Sequence, residues 1–166
     1  SERYGFSYKI LRFFNIYGPG QVAEFIIPRF IKAVNENTSP LIYGNGKQVR
    51  AFCHVMDAAF GIWLALVKNP LENQIFNIGN DDEPITVYDL AKKIIELSGK
   101  RLEPKFVSWK DSDRTESRDI KNRIADISKA RELLGFYLRI PLQDGLSELI
   151  KCRIEDTWVE PTNYKI

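Results

Sequence analysis

FFNIYGPGQ, Phe13–Gln21, is the stretch on which the fold turns. The residues leading into it are apolar or aromatic at Tyr8, Ile10, Leu11, Phe13, Phe14 and Ile16. A strand over Ser7–Tyr17 therefore carries apolar side chains on both faces, as in a sheet covered on both sides. Such a strand has an asparagine, Asn15, near its carboxyl end and stops on Gly18-Pro19-Gly20, which turns the backbone sharply. Ligands of α/β proteins sit outside the carboxyl ends of strands, so Asn15 stands where a sheet offers a polar group to a ligand. An asparagine there also suits bonding to the turn's own backbone, and spacing leaves both readings open.

Working outward, the pattern predicts a helix over Phe25–Val34 with Pro28 in its first turn. A short strand, Pro40–Tyr43, closes on Gly44-Asn45-Gly46, a hairpin-type signal from which Gln48–Cys53 would return. Val55–Lys68 reads as an apolar helix stopped by Asn69-Pro70, and Ile75–Ile78 as a buried strand ending at Gly79-Asn80. Thr86–Ser98 is the clearest helix, with Thr86 as cap, Asp89 three residues on and Gly99 as stop. Leu102–Trp109 alternates like a strand, Ser112–Asn122 is a charged loop, and Ser128–Leu134 and Pro141–Ile154 are helices. Glu155–Ile166 has no clear period and reads as a tail. Strands alternating with helices argue an α/β protein with a largely parallel sheet.

Composition narrows the function. The chain has 166 residues, 44% hydrophobic and 28% charged, with a net charge of +2 from interleaved residues. One domain with a real core is expected. That balance argues against nucleic acid or an anionic membrane as partner. The longest strongly apolar run, Ala58–Val67, is too short to span a bilayer. Cys53 and Cys152 form no CxxC, and one histidine, His54, leaves no metal-ligand spacing, so no metal is expected. The expected setting is the cytoplasm, with both thiols reduced. His54 and Asp57 read as helix-entry residues, Asp57 being an acid favoured by the helix dipole.

Six blocks carry a resemblance: LRFFNIYGPGQ (11–21), IIPRFI (26–31), LIYGNGKQVRAFCHVMDAA (41–59), FNIGN (76–80), TVYDLAKKI (86–94) and ADISKARELLGF (125–136). In this order they resemble the second half of the extended short-chain dehydrogenase/reductases, the NAD-dependent nucleotide-sugar epimerases and dehydratases such as UDP-glucose 4-epimerase. The implied fold is the C-terminal half of a Rossmann-type α/β protein: part of the parallel sheet plus a small substrate-binding subdomain, over residues 1–154, followed by the tail 155–166. The family's NAD turn is glycine-rich, and no GxGxxG or GxxGxxG occurs among the ten glycines here. Its catalytic Tyr-x-x-x-Lys precedes the RFFN strand, so NAD binding and catalysis are expected on chain upstream of Ser1, with no catalytic residue here. Tyr43…Lys47 and Tyr88…Lys92 fit the motif by spacing alone. The first spans a two-glycine turn; the second reads as surface residues of an amphipathic helix.

The resemblance implies a nucleotide-sugar pocket, with a UDP-sugar as partner. Asn15 matches an asparagine on the substrate pyrophosphate, and Phe14 a residue beside the nicotinamide and sugar ring. Ile26 and Ile27 would border the base, against which Leu41 and Tyr43 pack. Arg50 matches the arginine on the diphosphate, a guanidinium fork suited to phosphate oxygens. Asp119 matches an acid on the ribose, with Arg114 and Arg118 both competing for the arginine that normally precedes it; Glu116 holds that arginine's usual place. The family's Arg-Asp-aromatic is here Arg50-Ala51-Phe52. The strands about Ile10–Ile16 and Ile75–Ile78 would leave edges and faces exposed without the other half, so a longer parent, a partner chain or self-association is expected. Two other readings compete: a non-catalytic nucleotide- or partner-binding module, and a reductase on a different small substrate.

Overall fold

The computed structural model describes residues 3–108 and 120–152. Its strands are β1 (Lys9–Phe13), β2 (Ile16–Tyr17), β3 (Leu41–Tyr43), β4 (Val49–Arg50), β5 (Cys53–His54), β6 (Gln74–Ile78), β7 (Ile85–Thr86), β8 (Lys105–Val107) and β9 (Asn122–Arg123). Its helices are α1 (Ile26–Asn35), α2 (Val55–Val67), α3 (Val87–Leu97) and α4 (Leu142–Lys151). A wide π-type turn, Ala130–Leu134, ends on Gly135 in the left-handed conformation.

The expected strand over Ser7–Tyr17 divides at Asn15. β1 pairs in parallel with β6, from Lys9↔Gln74 to Phe13↔Ile78, and β2 pairs in parallel with β5. Between them Asn15 has φ of 47°, a left-handed conformation that asparagine tolerates better than most residues. One apolar run thereby serves two sheets. β1, α2 and β6 form a unit in which Gly61 lets α2 close on the sheet: a Cβ there would meet two Ile78 carbons at 3.1 Å. Leu64, Ala65, Phe76, Ile78, Ile127 and Phe136 bury this layer. Lys9 donates to the carbonyls of Ala65 and Lys68, each at 2.7 Å, at the end of α2 where a cation is favoured.

A second core lies between α1, α3 and α4, where Phe30, Ile31, Val34, Leu90, Ile94, Leu146 and Leu149 meet Tyr17, Ile42 and Phe52. Apolar residues at helical spacing make these three faces. The start of α3 matches its sequence signature. Thr86 Oγ1 accepts from the Asp89 N–H at 3.0 Å and donates to its carboxylate at 2.6 Å. Lys100 ties α3's exit to α1 by donating to the carbonyls of Val34 and Asn35.

The hairpin expectation is overturned. β3 pairs in parallel with β8, Leu41↔Lys105 to Tyr43↔Val107, and β4 lies between β7 and β9 in another sheet. The left-handed glycines, Gly44 and Gly46, are separated by Asn45, whereas a two-residue hairpin turn of the I′ type needs consecutive left-handed residues. Asn45 instead accepts from the Lys47 N–H, and the chain leaves the plane of β3. The pairing over Leu102–Trp109 contracts to Lys105–Val107; Trp109 and residues 153–166 lie outside the described residues. The sheet is largely parallel as expected, with β4–β7 the antiparallel pair among the described strands.

Candidate functional site

The parallel pairing of β1 and β6 puts their carboxyl ends side by side, and an asparagine follows each. Asn15 Nδ2 donates to Ala51 O at 3.0 Å and to Arg123 O at 3.2 Å, while the Cys53 N–H donates back to Asn15 O at 3.2 Å. Both side-chain partners are carbonyl oxygens, so only the NH₂ end of the amide can face them. The buried Asn80 donates to Phe52 O at 2.9 Å, and its Oδ1 accepts from the N–H groups of Asp82 and Glu83 at 2.8 and 3.2 Å. These two side chains hold the segment Arg50-Ala51-Phe52 by its main chain. Asn15 bonds distant carbonyls, so neither of its side-chain donors serves its own turn.

Arg50 is on β4, the middle strand of the three-stranded sheet β7-β4-β9. Its Nη1 donates to Val49 O at 2.8 Å and to Lys121 O at 3.3 Å, which fixes the base of the guanidinium. Arg50 is in register with Arg123 on β9. Register partners in a parallel pair project to the same face, on strands about 4.8 Å apart. Two guanidinium groups therefore share one sheet face, beside the Asn15 anchor.

On β3, Leu41 and Tyr43 share a face and Ile42 is buried on the other. Arg29 of α1 lies over the Tyr43 ring, 5.1 Å from its centroid. Gln48 donates to Tyr43 O at 3.4 Å, joining the exit of β3 to the entry of β4. Ile26 is half-buried against the helical core. Ile27 is buried within it, so its main chain rather than its side chain is available to a ligand. Phe14 packs against Gly79: a Cβ on that glycine would stand 3.1 Å from both Phe14 Cβ and Ala125 Cβ. Gln48 thus ties Tyr43 to the entry of β4, and Asn15 ties Ala51 to Arg123. Arg114, Arg118 and Asp119 lie outside the described residues.

The model of the NAD-dependent epimerase/dehydratase family matches residues 1–79. The chain is similar to members of that family. It is 31% identical over 147 residues to a UDP-glucuronate 4-epimerase of Thermodesulfobacterium geofontis, covering 89% of this chain and 43% of that protein. To the dTDP-D-glucose 4,6-dehydratase of Homo sapiens it is 31% identical over 153 residues, 90% of this chain and 42% of that one. The UDP-glucose 4-epimerase of Thermotoga maritima, solved with UDP-glucose, superimposes with a TM-score of 0.80 at 29% identity, over 90% of this chain and 47% of that one. The UDP-glucuronic acid 4-epimerase of Bacillus cereus, solved with UDP-glucuronic acid and NAD, gives 0.74 at 33%, over 86% and 44%. The chain spans under half the length of these relatives, and its α/β fold with parallel pairing matches their Rossmann-type structures.

The two look-alike Tyr-x-x-x-Lys motifs are occupied elsewhere. Tyr88 stacks on Phe106, with centroids 5.9 Å apart, and Lys92 grips both Glu103 oxygens at 3.1 Å. Tyr43 lies under Arg29, and Lys47 is exposed. His54 caps α2, its Nδ1 accepting from the Met56 N–H at 3.4 Å. Asp57, fully buried, accepts from the N–H groups of Arg139 and Ile140 at 3.2 Å each, a role its place in the helix's first turn did not announce. Burial, reinforced by the Asp57 carboxylate, pushes the Cys53 thiol up to about 12. Burial, then Glu83, Cys53, Asp57 and Glu148, raises the Tyr17 hydroxyl. Both stay protonated at neutral pH, which suits packing rather than nucleophilic attack. The described site groups are cations, amides and an aromatic ring: parts for recognition.

Sequence reasoning missed Arg29, Arg123 and Asn80. Arg29 falls three residues after Ile26 on α1, a spacing that could have marked it as a neighbour of the pocket wall. Arg123 carries no signal, being one charge in a charged run. Asn80 stands two residues past the end of β6 as Asn15 stands two past the end of β1, a parallel that the strand register reveals and the sequence does not.

Proposed function

We propose that this chain is the nucleotide-sugar-gripping half of an NAD-dependent epimerase or dehydratase, and that its ligand is a UDP-sugar. The observation that carries the reading is the Asn15 anchor, which joins the end of β1 to the main chain beside Arg50 and Arg123. Tyr43 under Arg29 offers a base-stacking face, and stacking of this kind contributes about 1–3 kcal/mol. Arg50 meets the diphosphate, with its guanidinium already oriented by two carbonyls. Phe14 stands at the sugar and nicotinamide end. Asn15 spends both side-chain donors on the main chain, so its part in holding the pyrophosphate is to orient Arg50 and Ala51.

NAD supplies hydride transfer to enzymes of this family when bound. The residues present here do not fit it as a whole. No glycine-rich strand–turn–helix stands in the sequence, and the joint between β5 and α2 is Cys53-His54-Val55. NAD binding and the catalytic pair are therefore assigned to further chain. That reading agrees with a span under half that of the relatives and with the exposed apolar residues Tyr8, Ile10 and Ile75 along β1 and β6. The alternative, a module that binds without catalysis, shares the pocket and differs in lacking that second part.

Calorimetric titration of the folded chain with UDP tests the pocket, and saturable binding is expected. A folded chain that ignores UDP at millimolar concentration would defeat the reading. Absorbance of the purified protein should show no NAD.

A further inference from the structure

We infer that Asn80 is a positioning residue for the diphosphate-binding arginine, acting on Arg50 through the main chain of Phe52; this rests on the pocket proposed above. β4 ends at Arg50 and β5 begins at Cys53, so Ala51 and Phe52 cross from one sheet to another and belong to neither strand. Both residues are buried. A buried carbonyl outside a strand ladder has to find its donor elsewhere. Two side-chain amides supply it here: Asn15 donates to Ala51 O at 3.0 Å and Asn80 to Phe52 O at 2.9 Å. The course of the chain as it leaves Arg50 is therefore set from beyond the ends of β1 and β6.

Asn80 is itself held in one orientation. It is 2% exposed, and its Oδ1 accepts the N–H groups of Asp82 and Glu83. A flipped amide would set an oxygen against Phe52 O and an NH₂ against two N–H donors. The loop that follows is fixed at two further points. Arg131, in the turn Ala130–Leu134, reaches Asp81 and Asp82 at 2.7 Å each. Glu83 accepts from the Leu142 N–H at 3.0 Å, which caps α4 where Pro141 makes no side-chain cap bond. The turn and α4 thus brace a loop whose buried amide is aimed at the link after Arg50. A donor that only satisfied Phe52 O would cost stability when lost and leave ligand preference alone. A donor that sets Arg50 changes affinity for a diphosphate and leaves affinity for the base.

The test is titration of the 166-residue chain with UDP by calorimetry and with uridine by competition against UDP, with folding followed by circular dichroism. Asn80→Ala is expected to weaken UDP about fivefold to tenfold, the scale of one hydrogen bond, while uridine stays within about twofold. In an Arg50→Gln background the same substitution should change UDP affinity no further, because residues that act as a unit are not additive. Val34→Ala, a buried truncation near the far end of α1, should leave both affinities unchanged. Equal losses of UDP and uridine, or additive losses with Arg50→Gln, overturn the inference and leave Asn80 a structural residue. If Asn80→Ala does not fold, amide exchange of the wild type decides: linkage requires UDP to slow exchange at the Asp82 and Glu83 N–H groups, and unchanged exchange overturns the inference. UDP binding that ignores Asn80→Ala sinks this inference alone. No UDP binding by the wild type removes the pocket and this inference with it.

Discussion

Asn15 shows how much one residue can decide. Its left-handed backbone ends one strand pairing and begins the next, and its amide ties three chain segments together. Substitutions separate the two contributions. Asn15→Gly keeps the backbone conformation and loses two hydrogen bonds, for an expected cost of about 1–3 kcal/mol. Asn15→Ala adds left-handed strain of about 1–2 kcal/mol. Urea unfolding should rank wild type above Gly and Gly above Ala; an alanine variant as stable as the glycine variant would contradict the account. Arg50→Ala removes the proposed phosphate fork and should lower UDP affinity about tenfold to a hundredfold, read by titration. An unchanged affinity would move the diphosphate elsewhere.

At the scale of elements, local chemistry and tertiary pairing contribute differently. α3 was legible from Thr86, Asp89 and Gly99 because a cap bonds within its own turn. Thr86→Ala should cost about 1 kcal/mol in chemical unfolding, while Glu96→Ala at an exposed position of the same helix should cost under about 0.5 kcal/mol. Equal losses would mean that the cap contributes nothing particular. The hairpin failed for the opposite reason. Gly44-Asn45-Gly46 specifies a turn, but the partner of β3 is β8, more than sixty residues downstream, and no local pattern names it. Likewise a motif singles out Arg50, whereas its neighbour Arg123 is paired with it only by the register of β4 with β9.

For the molecule as a whole, two properties follow from what is buried and what is not. Cys53 and Tyr17 are buried with raised pKa values, from ordinary values of 9.0 and 10.0. Each group is protonated in both folded and unfolded chains at neutral pH, so their contribution is complete there. As pH rises past about 9, the unfolded chain ionises first, and stability falls until the folded thiol itself titrates at about 12. The melting temperature should therefore drop between pH 8 and 11, and Cys53→Ala should flatten the drop; an equal slope in the variant would exclude the thiol as a cause. The exposed face is the second property. Val55, Ile62, Trp63 and Leu66 leave apolar surface uncovered on α2, and Ile10 and Ile75 leave more on the opposite side of the β1–β6 pair. Light scattering should show association that grows with concentration, and Trp63→Glu should reduce it. A monodisperse monomer at high concentration would refute an interface there.

The sequence by itself determined the α/β alternation, the capped and stopped helices, and the resemblance carried by its six blocks. Each of these is written in contiguous residues, where periodicity, capping and motif spacing act over a turn or two. Tertiary structure alone decided that Asn15 divides a strand, that β3 runs beside β8, that Asp57 anchors the segment at Arg139 and Ile140, and that two arginines far apart in the chain share a face. Those facts depend on which distant main-chain groups find partners, a choice made by closing the sheets and cores together rather than by any local stretch.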